Sequence, residues 1–523
     1  LLGLMALIPL IGAQFGYGNQ IEQFSIVERL RDPAFARGDP YVDAASAFGP
    51  RIYYAHLLAG LSAWLPLHRV VHSASVLCNL LLAWTTYAAA RRFLAAPALA
   101  GVFAALLAVT NGGITLGLAG FLRFDSFQPA SIATPLSLLG IYLLLSGRPL
   151  LALAAFVPAG LMHPLIAVEL AALSYFAAFV AVIIRRDRDA LRSVSILGLS
   201  GVLFGLAVFV AWALPASAPA GDALSPLEFF AILARFRAPH HYLGLEFSAK
   251  AWILAALFLA GAVGTVLALA RRQGLSAEAV GLAAAAALVV GFCLLSLYFV
   301  DIAESRLWTT AQVFRMTLLL KWVAFLCLAA LLADCAARHA PSAVVAAVGI
   351  GIAIGDAQGA ILIPALAFLI FFCPAGQVSG FRPPRAVWAG SSAVLVLLAV
   401  LALQRYGDTQ QAFRVLLGLA ATGLVFAPAA MPAARGIAAA ALVLGVLALA
   451  FVQRHDGLFG VAGLDSDLVW ADETSDKFDI ALRARGIGPE DAIWIVPPDF
   501  ESFRLVARRA VVRQGIGTND EEL

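Results

Sequence analysis

Apolar residues fall in long unbroken runs along this chain, and polar residues gather in the gaps between them. The runs are about 15–25 residues long, the length a helix needs to cross a bilayer. They predict helical spans near 1–17, 70–90, 97–111, 130–146, 149–162, 165–184, 194–214, 251–270, 277–299, 314–333, 342–355, 359–373, 387–403, 411–427 and 436–452. Merging short runs, or reading some as half-helices, gives roughly 12–15 transmembrane helices. The first run, Leu1 to Phe15, has no small-residue cleavage site after it. It reads as a first span clipped at its start, not as a signal peptide. Ile52 to Pro66 is apolar but short, and its Tyr, His and Trp residues suit the headgroup zone. It reads as an interfacial or re-entrant helix within a first loop covering 18–69.

Composition agrees with the pattern. The chain has 523 residues, 62% hydrophobic and 13% charged, with a mean hydropathy of +0.90. Soluble domains carry about 25% charged residues. Only a bilayer hides this much apolar surface without a polar outer face. The net charge of +3 is too even to suggest a nucleic-acid partner. The five cysteines lie in or beside apolar runs without CxxC spacing, so they read as small buried hydrophobes.

Basic residues set the predicted orientation. Arg91-Arg92, Arg148, Arg185-Arg186, Arg271-Arg272, Arg338 and Arg382 with Arg385 punctuate the runs. Placing them on the cytoplasmic side makes the spans alternate consistently, with Arg405 the lone exception. Loops 18–69, 111–129, 215–250 and 300–313 then share the opposite face with the tail. The transmembrane domain extends over 1–453. The tail, 454–523, is charged and reads in β-α-β order: Ala492 to Val496, a helix around Phe503 to Val506, and a strand in Arg508 to Arg513. This predicts a small, incomplete α/β lobe on the extracytoplasmic side.

Polar groups near membrane depth mark candidate chemistry. In the first loop, Glu22 and Asp39 are candidate general bases for an acceptor hydroxyl. Asp32 and Asp39, close to prolines, also fit turn starts. Arg123, Arg235, Arg237, Arg306 and Arg315 gather in or near the external loops, against the positive-inside trend. A guanidinium fork suits phosphate oxygens, and pairing with Asp125, Asp301 or Glu304 is the plainer use of the same residues. His163, His240 and His241 suit hydrogen bonding or phosphate contact. No HExxH, Cys/His cluster or acidic metal signature occurs, so neither a metal nor a cofactor is expected. There is no Walker A sequence, which gives ATP-driven transport no support. Asp356, between two spans, reads as a short-loop acid.

The order of motifs over residues 1–95 resembles the GT-C superfamily of membrane glycosyltransferases, in its aminoarabinose-transferase and protein O-mannosyltransferase branch. The matching segments are Asn19-Gln20-Ile21-Glu22-Gln23-Phe24, Glu28-Arg29-Leu30, Arg37-Gly38-Asp39-Pro40, Gly49-Pro50-Arg51-Ile52-Tyr53-Tyr54 and Arg91-Arg92-Phe93. Beyond about residue 215 the resemblance is one of topology. It departs where the family's catalytic Asp would stand, near Asn19 or Gln20, and Glu22 is the nearest acid. The stretch Phe127 to Ser131, His163-Pro164 and Arg237 to His241 also look similar to bacterial membrane proteins without assigned chemistry.

The resemblance implies an all-α polytopic GT-C-like protein in a bacterial inner membrane. It would move a sugar from a polyprenyl-phosphate-linked donor to an acceptor on the extracytoplasmic face. Glu22 or Asp39 would serve as base, with Arg123, Arg235, Arg237, Arg306, Arg315 and the three histidines against the donor. The competing readings are a transporter or flippase for a lipid-linked or anionic solute, and a non-catalytic scaffold. Transporters commonly show internal repeats, and no repeat is visible.

Overall fold

The computed structural model describes residues 2–7, 15–16, 19–110, 120–124, 126–185, 189–215, 224–337, 475–489, 492–497, 500 and 503–513. The spans expected near 342–355, 359–373, 387–403, 411–427 and 436–452 lie outside the described residues, as do Asp125, Asp356 and the tail before 475. The described chain is helical nearly throughout. Its helices are α1 (Leu2–Leu7), α2 (Asn19–Arg31), α3 (Pro40–Ala45), α4 (Ile52–Leu61), α5 (Leu67–Phe93), α6 (Ala98–Thr110), α7 (Pro129–Leu145), α8 (Pro149–Met162), α9 (Pro164–Arg185) and α10 (Ala190–Val208). There follow α11 (Pro226–Phe230), α12 (Pro239–Tyr242), α13 (Ala249–Gln273), α14 (Ala277–Phe299), α15 (Arg306–Ala311) and α16 (Thr317–Ala337). Wide π-type turns extend α10 over Phe209–Ala213 and α11 over Ala231–Arg237, and a 3-10 turn, Val313–Met316, leads into α16.

Six helical stretches among the described residues are long and apolar enough to cross a membrane: Leu67–Phe93, Pro164–Arg185, Ala190–Ala213, Ala249–Gln273, Ala277–Phe299 and Arg306–Asp334. This is a helical integral membrane protein. Three predicted spans are shorter than the roughly 20 residues a crossing needs: α6, α7 and α8 have 13, 17 and 14. Local chemistry separates α7 from α8. Gly147, at φ 77°, turns the chain after α7, and Pro149 starts α8 at once. Helix α4 has 10 residues, about 15 Å of rise, and therefore does not cross. It buries Tyr54, Ala55 and Leu58 and exposes Leu57 and Leu61, with Trp64 just beyond it.

Small residues set the helix packing, as is usual where lipid supplies no hydrophobic drive between helices. At Gly281 on α14 a Cβ would stand 2.2 Å from the Ala177 carbonyl oxygen of α9. At Gly140 on α7 it would meet the ring of Phe156 on α8 at 2.6 Å.

The connections between the long helices meet at one end. Gln20 and Tyr54 both donate to the Phe127 carbonyl. Tyr53 donates to Ala211 O, and Trp212 to Gly160 O. Asp301 accepts from the Gly244 and Leu245 amides, and Arg235 pairs with Glu304. At the other end, Arg185 pairs with Glu278, Arg272 with Asp334, and Ser276 caps onto Phe93 O. Arg91, Arg92, Arg185, Arg271 and Arg272 thus share the end away from the loops.

Near the C-terminus, α17 (Ser475–Ala484), β1 (Ile493–Ile495), α18 (Phe503–Ala507) and β2 (Ala510–Arg513) form a small core around Phe500, Phe503, Val506 and Val511. The two strands pair in parallel, joined by α18. This unit sits on the first loop: Arg504 reaches Asp39, and Arg508 reaches Glu28 and Asp32.

Candidate active site

Helix α2 starts at Asn19, so Glu22 stands in its first turn, where the helix dipole favours a carboxylate. Its Oε2 accepts from Arg51 Nη1 at 2.6 Å and from the Tyr41 hydroxyl at 3.3 Å. Arg51 also donates to the Tyr41 oxygen at 2.7 Å, which closes a three-membered set. Burial, chiefly, pushes the Tyr41 phenol up to about 12, so it remains a donor. Glu22 Oε1 accepts from no described residue, and the side chain is 17% exposed. Glu22 is thus anchored through one oxygen and open at the other.

Asp39 has a different role. Gly38, at φ 81°, turns the chain into it. Its Oδ1 caps α3 by accepting from the Tyr41 and Val42 amides, each at 3.0 Å. Its Oδ2 accepts from Arg504 Nε at 2.7 Å and from Val511 N at 2.9 Å. The residue is fully buried. Four donors occupy its lone pairs, so it joins the C-terminal unit to the first loop and has no oxygen to offer a substrate. Of the two expected bases, Glu22 alone has the geometry for the task.

Asn19 and Gln20 are built into the loops. Asn19 donates to Gln128 at 3.2 Å, and buried Gln20 links Gly16 N to Phe127 O.

Beyond Arg51, the polar groups continue. His163 separates α8 from α9, and its Nδ1 caps α9 by accepting from Ile166 N at 3.3 Å. Burial pushes its imidazole down to about 3, and the charges of Arg315 and Arg51 act in the same sense. The ring is neutral, Nδ1 is an acceptor, and Nε2 carries the proton. Arg315 lies on the turn before α16. Its guanidinium has neither a hydrogen bond nor an ion pair with any described residue, and its charge acts on His163, Glu169 and Tyr242. Glu169, on the first turns of α9, is 7% exposed, and its Oε1 is buried without a partner. Gln312 donates Nε2 to the Tyr242 hydroxyl, while its Oε1 is also buried without a partner. An orphaned acceptor costs about 1–3 kcal/mol. Gln312 is held at φ 49°, ψ 47°, a left-handed conformation costly for a residue with a side chain.

The other expected contacts are elsewhere. Arg235 pairs with Glu304 and lies 5.4 Å from the Phe230 ring centre, and Arg306 lies 4.7 Å from that of Phe229. Arg237 and His241 are exposed, and the His240 side chain lies outside the described residues. Arg123 donates to Val109 O at 3.0 Å and lines a narrow hollow with Ser75, Asn79 and Ser131. Glu22, His163 and Arg315 are therefore the expected residues that one electrostatic neighbourhood joins, through Arg51. Sequence reasoning missed Arg51, Tyr41, Glu169, Gln312 and Tyr242 as site residues. For Glu169 a signal existed: it is the one acid in the apolar stretch 164–185. Among the described residues no group of three or more His, Cys, Asp or Glu could hold a metal.

Comparison of the chain with protein-family models, curated proteins and solved structures gives no match.

Proposed function

We propose that this protein is a GT-C-like membrane glycosyltransferase. It would take a sugar from a polyprenyl-phosphate carrier and pass it to an acceptor hydroxyl at the loop-bearing end of the helices. The observation that carries the reading is an open carboxylate oxygen, Glu22 Oε1, on a residue held by Arg51, together with an unengaged guanidinium, Arg315, whose charge acts with that of Arg51 on His163. Acid-base transfer with a phosphate leaving group needs a base on one side and fixed positive charge on the other.

In the proposed step the acceptor oxygen bonds to the anomeric carbon as that carbon's bond to the phosphate oxygen breaks. The bonding pair leaves with the polyprenyl phosphate, and the hydroxyl proton passes to Glu22 Oε1. Attack opposite the leaving group inverts the anomeric centre. Arg315 and Arg51 face the phosphate charge that develops. Tyr41 holds Glu22 in place. Because the basic end carries Arg91, Arg92, Arg185, Arg271 and Arg272, the site end is assigned to the extracytoplasmic face of a bacterial inner membrane.

The test uses the full chain in proteoliposomes supplied with a panel of polyprenyl-phosphate sugars. The wild type is expected to release polyprenyl monophosphate. Glu22→Gln is expected to lower that release at least about a hundredfold, with expression retained. A wild type that moves the intact lipid-linked sugar across the bilayer, with no release in any case, would make the protein a transporter.

A further inference from the structure

The polar groups around Arg315 form an unusual set. Glu169 Oε1 and Gln312 Oε1 are acceptors without donors, both buried from solvent. Glu169 is more than nine-tenths buried. Three donors are tied to them: Tyr242 by its bond from Gln312, Arg315 by sharing the turn of Gln312, and His163, which feels the charge of Arg315 as Glu169 does. Arg315 has a guanidinium with no hydrogen-bond partner among the described residues. His163 accepts at Nδ1 and so presents Nε2–H. Tyr242 accepts from Gln312 at its oxygen and keeps its own proton to give.

The balance of this set identifies the ligand. A bare anion such as phosphate is satisfied by donors alone, and a cation by acceptors alone. An isoprenoid tail would leave all five groups unmet. A ligand with several neighbouring hydroxyls both donates and accepts at each, and so satisfies a mixed set. Sites built to bond hydroxyls discriminate strongly, because their own polar groups are stranded when the hydroxyl is missing.

We infer that Glu169, Gln312, Arg315, His163 and Tyr242 bound a carbohydrate subsite. Glu169 and Gln312 accept from sugar hydroxyls, and they are the residues that make the subsite selective for a sugar over a phosphate. The glycosyl-transfer reading is required only for the sugar to arrive on a lipid; the mixed donors and acceptors stand without it. Glu169 places the subsite within the first turns of a spanning helix, beneath the loops.

The experiment is saturation-transfer NMR on the full chain in nanodiscs. The probes are methyl glycosides of a hexose, a pentose and an N-acetylhexosamine, with inorganic phosphate and polyprenyl monophosphate as separate ligands. At least one glycoside is expected to receive saturation from the wild type. Glu169→Leu and Gln312→Gly are each expected to weaken that glycoside about tenfold, the loss of one hydrogen bond to a buried partner, and to leave polyprenyl monophosphate binding within twofold. Glycine suits the left-handed backbone at 312, so that variant carries the test if Glu169→Leu does not fold. Absence of glycoside contact in the wild type, or unchanged glycoside affinity in Gln312→Gly, overturns the inference. Equal weakening of phosphate and glycoside overturns it as well. Glycoside binding without polyprenyl monophosphate binding sinks the lipid-donor reading and leaves the sugar subsite in place.

Discussion

Arg504 donates to Asp39 at 2.7 Å across 465 positions of sequence, and both side chains are buried. Its guanidinium also stacks 5.3 Å from the centre of the Tyr41 ring. One side chain of the C-terminal unit therefore meets both the cap of α3 and the tyrosine that holds Glu22. Removing one partner of a buried pair typically costs about 3–5 kcal/mol, because the other charge is stranded. Arg504→Ala is expected to loosen the whole unit from the first loop. Hydrogen exchange over 475–513 should accelerate by at least about a hundredfold; an unchanged rate would show that Arg508, with Glu28 and Asp32, suffices to hold the unit.

Tyr41 separates anchoring from chemistry. Its hydroxyl bonds Glu22 and Arg51, while its backbone amide belongs to the Asp39 cap. Tyr41→Phe deletes the first role and keeps the second. Turnover in the transfer assay is expected to fall about tenfold, the worth of one hydrogen bond to charged partners, with little change in KM or in hydrogen exchange. A loss as large as that of Glu22→Gln would mean that Tyr41 itself handles the proton.

The legible part of this protein is the part governed by short-range pattern. The apolar runs place α5, α9, α10, α13, α14 and α16 within a few residues of their observed bounds, because each helix satisfies its own backbone. The turn chemistry at Asp39-Pro40 and the β-α-β order of the tail are equally local. What the pattern does not encode is which loop touches which. Arg51 lies 29 positions from Glu22, and nothing in either segment announces the pair. Asp39 reads as a free acid until Arg504 and Val511 are folded onto it. Glu169 hides for the opposite reason: a single acid barely dents a run of apolar residues.

Gly281 makes the tightest described contact between two spanning helices. A methyl group there would press on the Ala177 carbonyl oxygen at 2.2 Å, and backbone cannot yield as a flexible side chain does. Gly281→Ala is expected to force α9 and α14 apart at a cost of about 1–3 kcal/mol, although alanine is the better helix former. A lower thermal midpoint in detergent is the readout. A raised midpoint would mean that propensity outweighs packing at this contact.

His163 gives the fold a defined sensitivity to acid. In the folded chain its pKa is near 3, below the ordinary 6.5, because burial, Arg315 and Arg51 all oppose a proton. A group with a lowered folded pKa binds more protons when unfolded. Below pH 6.5 the unfolded imidazole charges while the folded one does not, so stability is fully present above 6.5 and is lost as pH falls toward 3. Each unit in that window costs up to about 1.4 kcal/mol from this residue alone. Asparagine at 163 keeps an acceptor for Ile166 N and ranks among the better caps, but it has nothing to titrate. The thermal midpoint of His163→Asn, followed by tryptophan fluorescence from pH 8 to pH 4, is therefore expected to fall less steeply than that of the wild type below pH 6.5. At pH 8 the two should differ little. Superimposable profiles would mean that the buried imidazole takes up its proton as readily as a free one, and that Arg51 and Arg315 do not converge on it.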